Sequence, residues 1–239
     1  MKSGLYTLII ALFFIFSCGA NSNSSKSTTD IDQNVQKSKQ VPDTITTPAG
    51  FIKMYETSGD LDKDNVEEKV IVYNTNAKSD MGSLREIHIF KNDNGQWKLW
   101  HKSKGAVLPS EHGGLSGDPF RKIDIKNSTL VIDQSGGSRD KWNFKHIYRF
   151  QNNKWKLIGA TIINETPCME KNKLDYNLST GKAIFLKEIL KCDTNGKLKS
   201  SKKQTINITK KLKELPDMDG YYPGDNEFEI DGTEDIIYY

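Results

Sequence analysis

Along most of the chain apolar and polar residues alternate at the two-residue period of half-buried strands, in short runs separated by Gly, Asn, Asp and Ser. Leu84-Arg85-Glu86-Ile87-His88-Ile89-Phe90 leads into Asn92-Asp93-Asn94-Gly95, and Gln96-Trp97-Lys98-Leu99-Trp100 leads out. Asn-Gly between two such runs predicts a tight hairpin, since both central residues of that turn need positive φ. The pattern recurs in Lys145-His146-Ile147-Tyr148-Arg149-Phe150, a turn at Gln151-Asn152-Asn153, and Lys154-Trp155-Lys156-Leu157-Ile158-Gly159. Aligning Phe90…Trp97-Lys98-Leu99 with Phe150…Trp155-Lys156-Leu157 gives a weak internal repeat, each copy a hairpin with Trp just past its turn. Between the copies, residues 120–125 and 129–133 read as strands about the turn Lys126-Asn127-Ser128.

Ser179-Thr180-Gly181 suits a three-residue hairpin loop with glycine in the left-handed position. That register pairs Leu178 with Lys182, Tyr176 with Ile184, Leu174 with Leu186 and Cys168 with Cys192. It puts Leu174, Tyr176, Leu178, Ile184 and Leu186 on one face, an arrangement that a one-residue slip breaks. Cys168 and Cys192 are therefore expected to form a cross-strand disulfide, as an exported protein permits. A further turn at residues 193–197 precedes a lysine-rich run and the strand-like residues 204–208. The pattern as a whole predicts an all-β domain, an antiparallel, sandwich-like assembly of hairpins. A full propeller, which needs about four or more blades, does not fit the length.

The amino terminus breaks the pattern. Lys2, the apolar residues 5–16 and Ser17-Cys18-Gly19 read as a signal segment, too short for the about 20 apolar residues of a membrane span. Ile15-Phe16-Ser17-Cys18 resembles the bacterial lipobox, with Phe16 in place of the usual smaller residue. The resemblance implies that Cys18 is the lipidated, palmitate-type first residue of a mature lipoprotein, and Gly19 after it implies the outer membrane. From residue 20 to about 50 the chain is Ser-, Asn- and Thr-rich without aromatics, the composition of a disordered tether. The organisation predicted is a signal peptide over 1–17, anchor and linker over 18–50, the β domain over 51–215, and an acidic, aromatic tail over 216–239. The tail reads either as a docked final strand or as a partner-binding segment.

Gly59-Asp60-Leu61-Asp62-Lys63-Asp64-Asn65-Val66-Glu67-Glu68 carries alternate carboxylates, the oxygen set a hard cation such as Ca²⁺ takes. Counting Asp60 as the first position, Asp60, Asp62, Asp64 and Glu68 offer side-chain oxygens and Val66 its carbonyl. The loop lacks the closing Glu and flanking helices of an EF-hand. It resembles the calcium loop of FG-GAP and VCBS-type repeats, Asp-x-Asp-x-Asp-Gly-x-x-Asp between two strands, with Asn65 for glycine and Glu68 for the last aspartate. More widely, residues 51–186 look like uncharacterised bacterial exported proteins with one such repeat; the family implies no activity.

Chemistry elsewhere is sparse. Two glycine-rich loops, residues 111–119 and 134–140, lack the phosphate-loop pattern and are expected at one end of the sheet, where binding residues sit. His112, Asp118, Ser138 and Arg139 are the candidate binding residues there. A hydrolase using the 111–118 loop, with His112, Ser116 and Asp118, is the enzymatic alternative, although no nucleophile elbow accompanies it. His88 and His146 read as strand residues, and no histidine shows metal-site spacing. With 34 basic against 31 acidic side chains, net +3, the chain has no strong field for nucleic acid. The function expected is a non-enzymatic binding or structural module of the bacterial envelope. Its contacts would be the membrane, through the lipid anchor, and an envelope protein or glycan.

Overall fold

The computed structural model describes residues 44–239. The signal segment, Cys18 and the linker as far as residue 43 lie outside the described residues. Strands β1 (Ile52–Gly59), β2 (Glu68–Ser79), β3 (Gly82–Asp93) and β4 (Gln96–Lys104) form one antiparallel sheet in sequence order. Strands β5 (Phe120–Lys126), β6 (Thr129–Gly137), β7 (Lys141–Gln151), β8 (Lys154–Thr166), β9 (Glu170–Asn177), β10 (Lys182–Cys192) and β11 (Leu198–Thr209) form a seven-stranded meander. Two short strands, β12 (Glu227–Glu229) and β13 (Ile236–Tyr238), pair with each other. The protein is all-β and antiparallel, and neither large sheet closes on itself.

Turn chemistry sets the hairpins. Asn94 and Gly95, Asn127 and Ser128, and Asn152 and Asn153 all have positive φ, so β3–β4, β5–β6 and β7–β8 each close with two residues. The internal repeat is also structural. Trp97 and Trp155 each follow a turn by two positions, and each hairpin then carries a bulge with Trp100 or Ile158 as its extra residue. The equivalence corrects the alignment: Phe150 faces Trp155 as Asn92 faces Trp97, so Phe90 corresponds to Tyr148, not to Phe150. The bulge sends Trp100 against Phe150 and Trp155, with ring centroids 4.7 and 5.4 Å away. One repeat is thereby wedged onto the other.

The third hairpin differs from the expected register by one residue. Tyr176 faces Ala183 and Leu174 faces Phe185, and Ile184 is 52% exposed. Leu178 is the cause. It is buried in the turn and its N–H donates to Ile158 O at 3.0 Å, so the loop takes four residues, Leu178 through Gly181. Phe185, a larger apolar surface than Ile184, is the residue this register buries. The disulfide Cys168–Cys192 nevertheless forms, with Cα atoms 5.2 Å apart. Cys168 lies in the β8–β9 turn with φ of 63°, not on a strand; that turn brings it opposite the end of β10.

The core lies between the four-stranded sheet and one face of the meander. Val70, Val72, Ile87 and Ile89 meet Ile132, Tyr148, Trp155, Leu157 and Ile162 there. The acidic aromatic segment is docked into the same core through Met218, Tyr221, Phe228, Ile230, Ile237 and Tyr239. The tail is therefore docked, although its strands join neither large sheet. A smaller cluster on the other face of the four-stranded sheet joins Ile71, Tyr73 and Phe90 to Ile45, Phe51 and Trp97. Among the described residues this packing includes Ile45, which lies inside the expected linker. At the junction of the sheets β1 lies beside β5 without a ladder, and a Cβ on Gly59 would stand 2.8 Å from Ile125.

Candidate functional site

The aspartate loop joins β1 to β2 where Gly59 faces Glu68. Leu61, 2% exposed, pins it to the core. Lys63 and Asn65 both take positive φ, so Asn65 does the conformational work of the motif's glycine. Asp60 closes the turn by accepting the N–H groups of Lys63 at 2.6 Å and Asn65 at 3.2 Å. Glu68 is buried, and its Oε2 accepts the Leu61 N–H at 2.7 Å.

Asp60, Asp62 and Glu68 each place a carboxylate oxygen within 4.8 Å of the others. Asp64 stays outside that cluster: its Oδ1 accepts the Val66 N–H at 2.7 Å, and Val66 is exposed. Burial raises the Glu68 carboxyl pKa; the Leu61 N–H opposes the rise, and the Asp62 and Asp64 charges add to it. The Lys91 ammonium, on β3, donates to Asp62 Oδ2 and sits 4.1 Å from the Trp100 ring centroid. Asp62 Oδ1 is buried with no hydrogen-bond partner among the described residues. Three carboxylates against one lysine leave the cluster acidic, with an orphaned oxygen of the hard kind that Ca²⁺ takes. The loop motif contains no signal for Lys91, which lies 29 residues from Asp62.

The two glycine-rich loops do come together at one end of the meander. Gly137 N–H donates to Gly113 O at 2.9 Å, and Ser116 Oγ donates to Gly137 O at 2.7 Å. Gly136 lies under the Trp142 ring, where a Cβ would stand 2.4 Å from a ring carbon. His112 and Ser138 line one cleft of about 440 Å³ with Leu115, Asp140 and Trp142. Asp118 is committed elsewhere. It forms a two-pronged ion pair with Arg85, whose side chain is fully buried and also donates to Asn74 and Leu108. Arg139 is exposed at the loop tip and reaches Met169 Sδ at 3.1 Å.

His112, Ser116 and Asp118 make no hydrogen bond to one another. The imidazole Nδ1 lies 3.4 Å from the Tyr222 hydroxyl, Ser116 bonds Gly137 and Lys141, and Asp118 holds Arg85. A hydrolytic relay needs nucleophile, base and orienting group in sequence, and here each is spent on packing the loops. The other histidines are likewise engaged: His88 with Glu86, His101 with Asp219, and His146 with Tyr221. No known protein-family model matches the chain, and no curated protein matches it.

Proposed function

We propose that the protein is a non-enzymatic binding or structural module of the bacterial envelope, held at the outer membrane by lipid on Cys18. In this reading Ca²⁺ staples its first strand connection. The observation that carries the staple is the convergence of Asp60, Asp62 and Glu68 within 4.8 Å, with Asp62 Oδ1 buried and unpartnered. Those three carboxylates would hold the ion, and Lys91 would give up Asp62 to it. Asp64, folded back on the Val66 N–H, and the exposed Val66 are not assigned a part. Asp60 and Asp62 on the β1–β2 turn and the buried Glu68 would be tied together by the charge neutralisation that an ion would supply, beside the edge that abuts β5. The unassembled His112, Ser116 and Asp118 favour binding over hydrolysis.

Calcium-dependent stability tests the staple. With Ca²⁺ at about 100 to 1,000 times its dissociation constant, linkage adds about 3 to 4 kcal/mol to unfolding. Wild type should melt higher with Ca²⁺ than with chelator, and Asp62→Asn should lose most of that difference. An identical melting temperature in both conditions removes calcium from the account.

A further inference from the structure

A second cleft, of about 320 Å³, lies at the glycine-loop end of the meander, on the face turned away from the core. Register builds its floor: Ser135, Asn143 and Ile163 are direct neighbours across β6, β7 and β8, and Lys141 faces Glu165 in the next row. Gly137 occupies the β6 place in that row and leaves it without a side chain. Ser116 and Trp142 line its sides, and a bulge supplies a further wall. Phe120 faces Gln134 and Lys122 faces Asp133, so Arg121 has no ladder partner and turns onto this face. Its Nε donates to Ser135 Oγ at 2.6 Å and its Nη2 to Ser135 O at 3.4 Å.

Those two bonds hold the guanidinium by one edge and leave Nη1 available. Asn143 spends its N–H groups on Asp133 at 2.7 Å and Gln134 O at 3.2 Å, so its Oδ1 remains as an acceptor. Glu165 is neutralised by Lys171 at 2.9 Å. Arg121 and Lys141 have no carboxylate partner among the described residues; Lys141 reaches Ser116 Oγ at 3.3 Å. The cleft therefore offers two uncompensated cations, neutral hydroxyl and amide groups, and an aliphatic floor.

We infer that this cleft binds a carboxylate-bearing sugar, a hexuronate unit of an acidic glycan. Arg121 and Lys141 take the carboxylate, for which a pre-oriented guanidinium is well shaped. Asn143 Oδ1, Ser135 and Ser116 meet ring hydroxyls, and Ile163 lies against the apolar face of the ring. The volume, near the lower end for small-molecule sites, fits one or two sugar rings. A bare anion would use the cations and none of the rest. The inference deepens the reading of the domain as an envelope binding module and does not involve the calcium loop.

The test is calorimetric titration of the purified chain with tetragalacturonate, with maltotetraose as neutral counterpart and inorganic phosphate as bare anion. Tetragalacturonate should bind, and the other two should bind at least about tenfold more weakly. Arg121→Met and Lys141→Met, both at exposed side chains, should each weaken it by about tenfold or more, while Lys199→Met on β11 leaves it unchanged. No binding of tetragalacturonate, equal binding of maltotetraose or phosphate, or equal loss in Lys199→Met would overturn the assignment. Failure here with an intact calcium shift removes the ligand and leaves the staple standing.

Discussion

His146 makes the fold acid-sensitive by an amount that can be worked out. Its ring is wholly buried beneath Tyr221, whose hydroxyl lies 2.8 Å from Nε2, and Nδ1 has no partner among the described residues. Burial lowers its pKa from the ordinary 6.5 to about 3. The unfolded chain therefore takes up a proton below about pH 6.5 that the folded chain refuses until about pH 3. Stability is full above that window and falls as pH falls through it, with a slope approaching about 1.4 kcal/mol per unit. Between about pH 7 and pH 5 the loss integrates to about 2 kcal/mol. Urea unfolding of wild type and His146→Gln at several pH values isolates this contribution, because an amide can still accept from Tyr221. His112, also lowered by burial, and Glu68, raised by burial, remain in both proteins and cancel in the comparison. Equal pH slopes in the two proteins would refute the reasoning.

Two other perturbations probe the frame. Replacing Cys168 and Cys192 together by Ser removes a bridge across 24 residues of sequence and should cost about 3 kcal/mol in chain entropy, read as a lower urea midpoint. An unchanged midpoint would show that the β9–β10 hairpin inside the loop already supplies that restraint. Trp155→Ala empties a fully buried position against Trp100 and Phe150 and should destabilise by about 3 to 5 kcal/mol in thermal unfolding. Its repeat equivalent, the half-buried Trp97, should cost distinctly less, and equal losses would contradict the wedge between the sheets.

Features carried by neighbouring residues were legible in the sequence. Asn94-Gly95, Asn127-Ser128 and Asn152-Asn153 announce their hairpins because the turn's backbone demands residues that accept positive φ. The two glycine-rich loops were placed at one end of the sheet, and they interlock there. The one-residue error at Leu178 has a physical origin: a three- and a four-residue loop both accommodate Gly181, and the choice is made by a distant acceptor, Ile158 O. The docked tail was ambiguous for the same reason. Phe228 with Ile230 and Ile237 with Tyr239 do alternate, but the runs are short, and the surface that they and Tyr221 fill is shaped by the two sheets. Asp118 looked like a binding residue because nothing near it in sequence discloses Arg85, its buried counter-ion.

Both candidate sites lie where local pattern meets such distant partners. In the aspartate loop, spacing identified the carboxylates, but the fold selects among them, gathering Asp60, Asp62 and Glu68 and turning Asp64 back on Val66. In the outer cleft, Arg121, Ser135, Asn143 and Glu165 come from four strands, and each alone reads as an ordinary exposed-face residue. What joins them is register together with one bulge. An extra residue in a ladder changes no composition and disturbs alternation by a single step, so it hides in sequence, yet it moves Arg121 out of the ladder and onto a shared face. The same device, at Trp100, turns an edge-strand residue into the wedge between the sheets. Bulges in this protein thus serve both to join the layers and to aim a cation, and deleting Arg121, which restores regular pairing from Phe120 to Lys122, should erase the cleft while sparing the core.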